Sequence, residues 1–506
     1  MFFLNGMSWI KCLAIMMAFT LFSLPLLPDS RARIDLNQAY WDADFIQIVD
    51  CFQKRNYQSL SLDEKLLFIE CLARTGRNNL AGEKIKQIDI EQSHRSRIYA
   101  CAGWVFLSSG YLDKAEDILD KSLELDGNTP NAMLAKMLLL LYLKQYGKSE
   151  KLFDHFLKSN PNLVHSFQVF LIGVEIFSAV GNLPKMFNWY NQRAKWMKKS
   201  DKQTAENLKA SARLYKSIRK EKLFETTTEA DTVTLPFAGT PDNGYIFINF
   251  RTGKSRPFRI ILDTGNATGW MIHDRELYDN LKLKIGGRTT AIIGTEAQAL
   301  DGYRVYTELL DFESFQLHHL IGFYIPKPRS DFFDGNLNPI FIRNRVISLD
   351  GKKRQLVLRT KAAFDCYLAN LRPEEYVRLP WYGYEQVFLP VMVNQKMNGL
   401  GIIETGAEDI AVKLSFAQIL RLPLKPKIRY LSNGKVYRFF EAPISVFLGQ
   451  WRFDRKNIEV WSFERFYRRL SGLTADVVLG PQVFKENWIV SFDPFSRQVF
   501  IEGPGT

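Results

Sequence analysis

Cysteine and histidine are scarce in this 506-residue chain, with five of one and six of the other. Outside the first 32 residues the cysteines are Cys51, Cys71, Cys101 and Cys366. No CxxC pair and no cysteine–histidine ligand spacing occurs, which argues against a zinc site. Three of the four fall in the N-terminal half, where one disulfide remains open without an assignable pairing. Also missing are GxSxG, HExxH and any Cys/His nucleophile pattern, so serine-hydrolase and zincin chemistry find no carrier. No metal and no organic cofactor is implied. Low-complexity tracts are absent too: 46% hydrophobic and 24% charged residues are globular proportions, and the length calls for two or three domains.

Long apolar runs are lacking with one exception. CLAIMMAFTLFSLPLL, residues 12–27, follows a lone Lys11 and precedes PDSRA, which ends in Ser30-Arg31-Ala32. This run is short for a spanning helix and suits a secretory h-region with a small-x-small cleavage site. Residues 1–32 read as a signal peptide, with an uncleaved membrane anchor as the alternative. The remainder is then exported, periplasmic or extracellular, and membrane association would run through this segment. The net charge is +13, with the basic residues spread along the chain. Such a balance favours anionic surfaces such as lipid headgroups or acidic polymers. No recognition motif accompanies it, so nucleic-acid binding is not expected.

Residues 33–225 are patterned as amphipathic helices with short turns. The pairs Gly76/Ala81, Gly110/Ala115 and Lys144/Ser149 follow one another at one constant spacing, and Ile85, Leu119 and Phe153 keep the same phase. A looser fourth unit carries Gly181 and Tyr190. GYLDKAEDILDKSLELDGN resembles the second helix and turn of a tetratricopeptide repeat, and the spacing matches that repeat's period. An irregular bundle is the alternative. Such an array would bind a protein partner, or deliver substrate, through its concave face. Residues 198–222 read as a charged capping helix, and the composition turns β-rich near 225–232.

The β-rich half repeats itself. FRIILDTGNATGW (258–270) is echoed by GLGIIETGAED (399–409), each an apolar strand running into acid-Thr-Gly, which pairs Asp263 with Glu404. Asp334 follows Asp263, and Asp476 follows Glu404, at almost the same distance. Asp350 and Asp493 each end a later strand. Two lobes, 232–365 and 375–506, account for this duplication.

These motifs, with VVLGPQVF…WIVSFDP…QVFIE in the second lobe, resemble retropepsin-like aspartic peptidases fused in tandem as a pepsin-like pseudo-dimer. The resemblance covers the chain from 232 to 506 and implies an all-β bilobal domain behind the helical array. It implies Asp263 and Glu404 as the dyad, Thr264 and Thr405 as braces between the two turns, and Gly265 and Gly406 as points of close backbone approach. Paired carboxylates share one proton, so one can activate water while the other polarises a carbonyl. The implied substrate is an extended polypeptide, covered by hairpins at 293–305 and 430–439. Three positions depart from the family pattern: Glu404 replaces Asp, Asn266 replaces Ser or Ala, and GNLN (335–338) replaces an apolar-apolar-Gly motif. Two readings follow, an exported aspartic-type endopeptidase and a non-catalytic peptide-binding scaffold. Pairing of two chains through their first lobes is disfavoured by the fused second lobe.

Three look-alikes carry no function. FRTGKS (250–255) lacks the first glycine of a phosphate-binding loop and suits a hairpin turn. GLGIIE opens no helix, as a dinucleotide fingerprint requires. His318 and His319 are adjacent and would point to opposite faces of a strand.

Overall fold

The computed structural model describes residues 35–90, 94–238, 245–252, 255–293, 298–326, 333–407, 409–430, 436–462, 473–481 and 488–503. Helices fill the chain up to Ser217 and strands dominate from Glu225 to Glu502. The N-terminal region is a helical repeat array, followed by a β-rich region. Among the described residues no helix is long and apolar enough to cross a membrane. The expected segment at 1–32 lies outside them.

The array consists of helix pairs Leu62–Arg74/Asn78–Ile85, Ser96–Ser108/Leu112–Leu125, Pro130–Tyr142/Tyr146–Ser159 and Phe167–Val180/Leu183–Met197. Each pair turns on a left-handed residue: Gly76, Gly110, Lys144 and Gly181 have φ of 73°, 78°, 54° and 73°. Glycine takes this conformation freely and closes a helix by satisfying its last carbonyls. Ala81, Ala115 and Ser149 are fully buried, as close helix approach requires, and Ile85, Leu119 and Phe153 are buried beside them. The capping helix is Lys202–Ser217, started by Asp201, whose carboxylate accepts from the Thr204 N–H.

The inner row of first helices is partly filled by the chain itself. Helix Leu36–Trp41 packs against Phe167–Val180. The Tyr40 hydroxyl donates to the buried Glu70 carboxylate and accepts from Asn131. Arg97 closes this network through Glu70 at 2.5 Å. Cys51, Cys71, Cys101 and Cys366 are all free thiols, so no disulfide links the described cysteines.

Strand β1 (Glu225–Thr227) pairs with the first of two matching seven-strand sheets. In the first lobe β3 (Phe247–Phe250), β4 (Phe258–Leu262), β5 (Trp270–Ile272), β6 (Lys284–Ile293), β7 (Gln298–Asp311), β8 (Gln316–Tyr324) and β9 (Gly335–Leu337) order as β3-β4-β9-β5-β8-β7-β6. In the second, β13 (Val387–Val393), β14 (Met397–Ile403), β15 (Ala411–Lys413), β16 (Lys425–Tyr430), β17 (Val436–Leu448), β18 (Trp451–Trp461) and β19 (Val477–Leu479) order as β13-β14-β19-β15-β18-β17-β16. The two strand orders correspond one for one. Even the parallel pairs match, Leu262 beside Leu337 and Ile403 beside Leu479.

A third sheet joins the lobes. Strands β2 (Thr232–Pro236), β11 (Gln355–Arg359) and β10 (Val346–Asp350) meet β20 (Ile489–Asp493), β21 (Gln498–Glu502) and β12 (Tyr376–Pro380) in the order β12-β21-β20-β10-β11-β2. At its centre Ser348 faces Ser491 in register, and their hydroxyls lie 2.7 Å apart. Val, Ile, Leu and Phe at alternate positions of these strands join one apolar core with residues of both seven-strand sheets.

The hairpins expected at 293–305 and 430–439 are the β6–β7 and β16–β17 pairs; their tips, 294–297 and 431–435, lie outside the described residues. FRTGKS spans the turn between the antiparallel β3 and β4, with 253–254 not described. GLGIIE lies along β14. His318 Nε2 meets the Thr227 hydroxyl at 2.8 Å, and His319 Nδ1 meets Tyr306 at 2.7 Å.

Candidate functional site

Each lobe ends its central strand in an acid-Thr-Gly turn, and the two turns face each other. Both are anchored alike. The Asp263 N–H donates to the Leu337 carbonyl at 2.9 Å and the Glu404 N–H to that of Leu479 at 3.0 Å. Asn266 N–H then returns to the Asp263 carbonyl, and Ala407 N–H to that of Glu404. Upstream, Asp334 accepts from the Arg259 N–H at 2.7 Å, and Asp476 accepts from Leu400 N–H at 3.1 Å. These two acids therefore hold the backbones of the two central strands, with Arg256 bound to Asp334 and Lys413 to Asp476.

The threonines interlock. Thr264 Oγ1 donates to the Ile403 carbonyl and accepts from the Thr405 N–H, at 2.8 and 3.0 Å. Thr405 Oγ1 donates to the Leu262 carbonyl and accepts from the Thr264 N–H, at 2.7 and 2.9 Å. Both threonines are fully buried, and buried backbone groups left unpaired are costly.

Crossing the turns places each carboxyl over the other turn's glycine. A Cβ on Gly406 would come within 2.5 Å of Asp263 Oδ1, and one on Gly265 would overlap the Glu404 carboxyl. The structure therefore brings all six sequence-derived residues together: Asp263, Thr264, Gly265, Glu404, Thr405 and Gly406. Asp263 is used as an acceptor on both oxygens, from Gly265 N–H at 3.1 Å and Asn336 Nδ2 at 2.7 Å. Glu404 is buried. Its burial, and then the neighbouring Asp263 carboxylate, push its pKa well above the usual carboxylate range, which favours the protonated form.

The segment GNLN, 335–338, contributes to the site. Within GNLN, Asn336 grips Asp263, and Asn338 donates to the carbonyls of Thr264, Asn266 and Glu385 at 3.2, 3.0 and 3.1 Å. Asn266 turns its side-chain oxygen to the Thr268 N–H and hydroxyl, not to Asp263. Gln386 donates to the Gly265 carbonyl at 3.1 Å. Gln386 does not stand out in the sequence, and Asn336 and Asn338 stand out only as a departure, with no role attached. The one signal was that two asparagines occupy a strand and its exit where the counterpart, Val477–Leu479, is wholly apolar.

The repeat turns meet this β-rich region in a row. Asn78 donates to Thr474 at 2.6 Å, and the Leu400 side chain lies against Gly110. Arg497 donates to the Lys144 carbonyl at 2.8 Å and Arg343 to that of Ala179 at 3.1 Å. Lys144 takes a glycine's place in its repeat, and its ammonium stands 3.3 Å above the Trp381 ring centre. Leu400, Ile402 and Val478 of the second lobe share one apolar cluster with Leu107 and Leu134 of the array.

No protein-family model matches the sequence, and no curated protein matches it. Among solved structures the chain is similar to a tetratricopeptide repeat protein from Parabacteroides merdae, at 15% identity and a TM-score of 0.25, over 36% of this chain and 73% of that one. It is similar also to a MamA mutant, at 14% identity and a TM-score of 0.23, over 37% of this chain and 91% of that one. A MamA RS-1 double mutant gives 14% and 0.21, over 31% and 98%. The helical array described above rests on its own helix spacing and turn geometry.

Proposed function

We propose that the chain is an exported aspartic-type endopeptidase in which Asp263 and Glu404 activate a water between them. The interlocked turns carry this reading: two acids from duplicated strands face each other, one accepting hydrogen bonds and the other holding a proton. Asp263 takes a proton from water, whose oxygen attacks the scissile carbonyl carbon. Glu404 donates its proton to the carbonyl oxygen, giving a tetrahedral diol. Collapse breaks the C–N bond, the proton held by Asp263 passes to the leaving amine, and Glu404 regains its own. Thr264, Thr405, Gly265 and Gly406 keep the two carboxyls in place. The substrate is an extended polypeptide between the lobes, paired through backbone hydrogen bonds. The repeat array serves partner or substrate binding, and the N-terminal segment serves export or membrane attachment.

A second reading, a non-catalytic peptide-binding scaffold, is favoured by Asn336, which occupies one oxygen of Asp263 at 2.7 Å, and by Glu in place of Asp at 404. Incubation of the purified protein with a diverse peptide library from pH 3 to 8 separates the two. New amino termini that appear with wild type and not with Asp263→Ala support the endopeptidase. Capture of peptides without cleavage at any pH supports the scaffold.

A further inference from the structure

The last repeat ends in an exposed patch that the site does not use. Trp196 and Phe167 are 42% and 41% exposed, although each has a large ring that a core would ordinarily hide. Trp196 stacks on His165, and Arg193 lies 4.4 Å from the centre of its indole. Near this ring in the chain stand Lys195, Lys198, Lys199 and Lys202. None of the four is in an ion pair among the described residues. Of the nearby acids, Asp201 caps its helix at Thr204, and Glu206 pairs with Lys209 while also facing Lys198.

The position of the chain's beginning adds a second observation. Helix Leu36–Trp41 packs on helix Phe167–Val180, and Asp42 faces Arg193, whose pKa burial pulls down to about 10 against the opposing effect of that carboxylate. The apolar stretch 12–27 thus ends only a few residues before a helix seated beside the patch. Amphipathic aromatic rings settle at headgroup level, and lysines beside them are drawn to anionic lipid.

We infer that the Trp196–Lys202 end of the repeat array rests on an anionic lipid surface. Trp196 and Phe167 would enter the headgroup layer and the four lysines would meet lipid phosphates. The array, and the lobes docked on its turns, would then stand in a fixed orientation over the bilayer. This inference does not depend on catalysis.

The test is flotation of the purified full chain with vesicles of phosphatidylcholine alone and of phosphatidylcholine mixed with phosphatidylglycerol. Capture by neutral vesicles reports the apolar segment, and the added affinity for anionic vesicles reports the patch. Each lysine near such a surface contributes several-fold in affinity, so the variant with Lys195, Lys198, Lys199 and Lys202 all changed to Gln should lose on the order of 10³-fold of that added affinity. Trp196→Ala should also weaken it, and salt should erase it in wild type. Equal binding of wild type and the four-lysine variant to anionic vesicles would overturn the inference. So would a charge effect seen only with an added nucleic-acid homopolymer and not with vesicles.

Discussion

Thr264 and Thr405 exchange hydrogen bonds across the lobe junction, each hydroxyl donating to a carbonyl of the opposite central strand and accepting the other's N–H. Their hydroxyl oxygens are themselves 3.3 Å apart. The arrangement makes the two lobes hold each other's turn, so neither acid can be positioned without the other lobe. Thr264→Val keeps the shape and removes both bonds of one hydroxyl, leaving the Ile403 carbonyl and the Thr405 N–H unpaired. Loss of about 2–3 kcal/mol is expected, read as a lower denaturant midpoint. Thr405→Val should cost a similar amount, and the double variant less than the sum because the two hydroxyls act in one network.

Gly265→Ala tests the close approach of the turns. Its Cβ would overlap the Glu404 carboxyl, forcing one turn to shift. Overpacking of this kind costs about 1–3 kcal/mol, and peptide cleavage should fall below detection while the protein remains folded by circular dichroism.

Glu404 sets the pH behaviour. Its pKa is held above the ordinary carboxylate range, first by burial and then by Asp263. In the proposed mechanism cleavage needs its proton, so the rate should decline as the pH rises through this raised value. Glu404→Gln should abolish cleavage. Glu404→Asp withdraws the carboxyl by roughly one methylene from its place beside Gly265, and a misplacement of about 1 Å can cost ~10²-fold. A lower kcat with little change in KM is the expected result.

A second pH effect should appear in stability. Glu385, beside the site, faces Glu175 of the fourth repeat, with Arg304, Arg343 and Tyr384 around it. Burial pushes the Glu385 carboxyl up to about 7, against the pull of the two arginines. For an acid raised on folding, the folded state holds protons that the unfolded chain has released. Stability from this group is therefore full below the ordinary carboxylate value and falls as the pH climbs toward 7. Glu385→Gln should flatten that fall, measured by denaturant unfolding from pH 4 to 8.

Much of this architecture was legible in the sequence because it is periodic. Left-handed turn glycines recur at a constant interval through the first repeats, and Lys144 kept the phase where glycine was lost. The second acid, too, emerged from duplication, since Glu404 occupies the register of Asp263. Legibility ended where the site depends on contacts that no period records. Asn78 reaches Thr474 in the second lobe, and nothing local marks either. Asn336 and Asn338 read as a defect in the first lobe's pattern, yet their amides satisfy carbonyls and a carboxylate of the acid-bearing turn. The inner row of repeat helices reads as open to a partner, but Tyr40 of the same chain bonds to Glu70 and Asn131 within it.

The most direct test of the proposed dyad compares wild type, Asp263→Asn and Glu404→Gln on one cleaved peptide, at the pH of maximal rate, with unfolding curves confirming that all three are folded. If water is activated between the two acids, each variant should lose cleavage by on the order of 10³-fold or more, general acid–base catalysis alone accounting for about 10²–10⁴-fold. Cleavage that persists unchanged in folded Asp263→Asn would contradict the account.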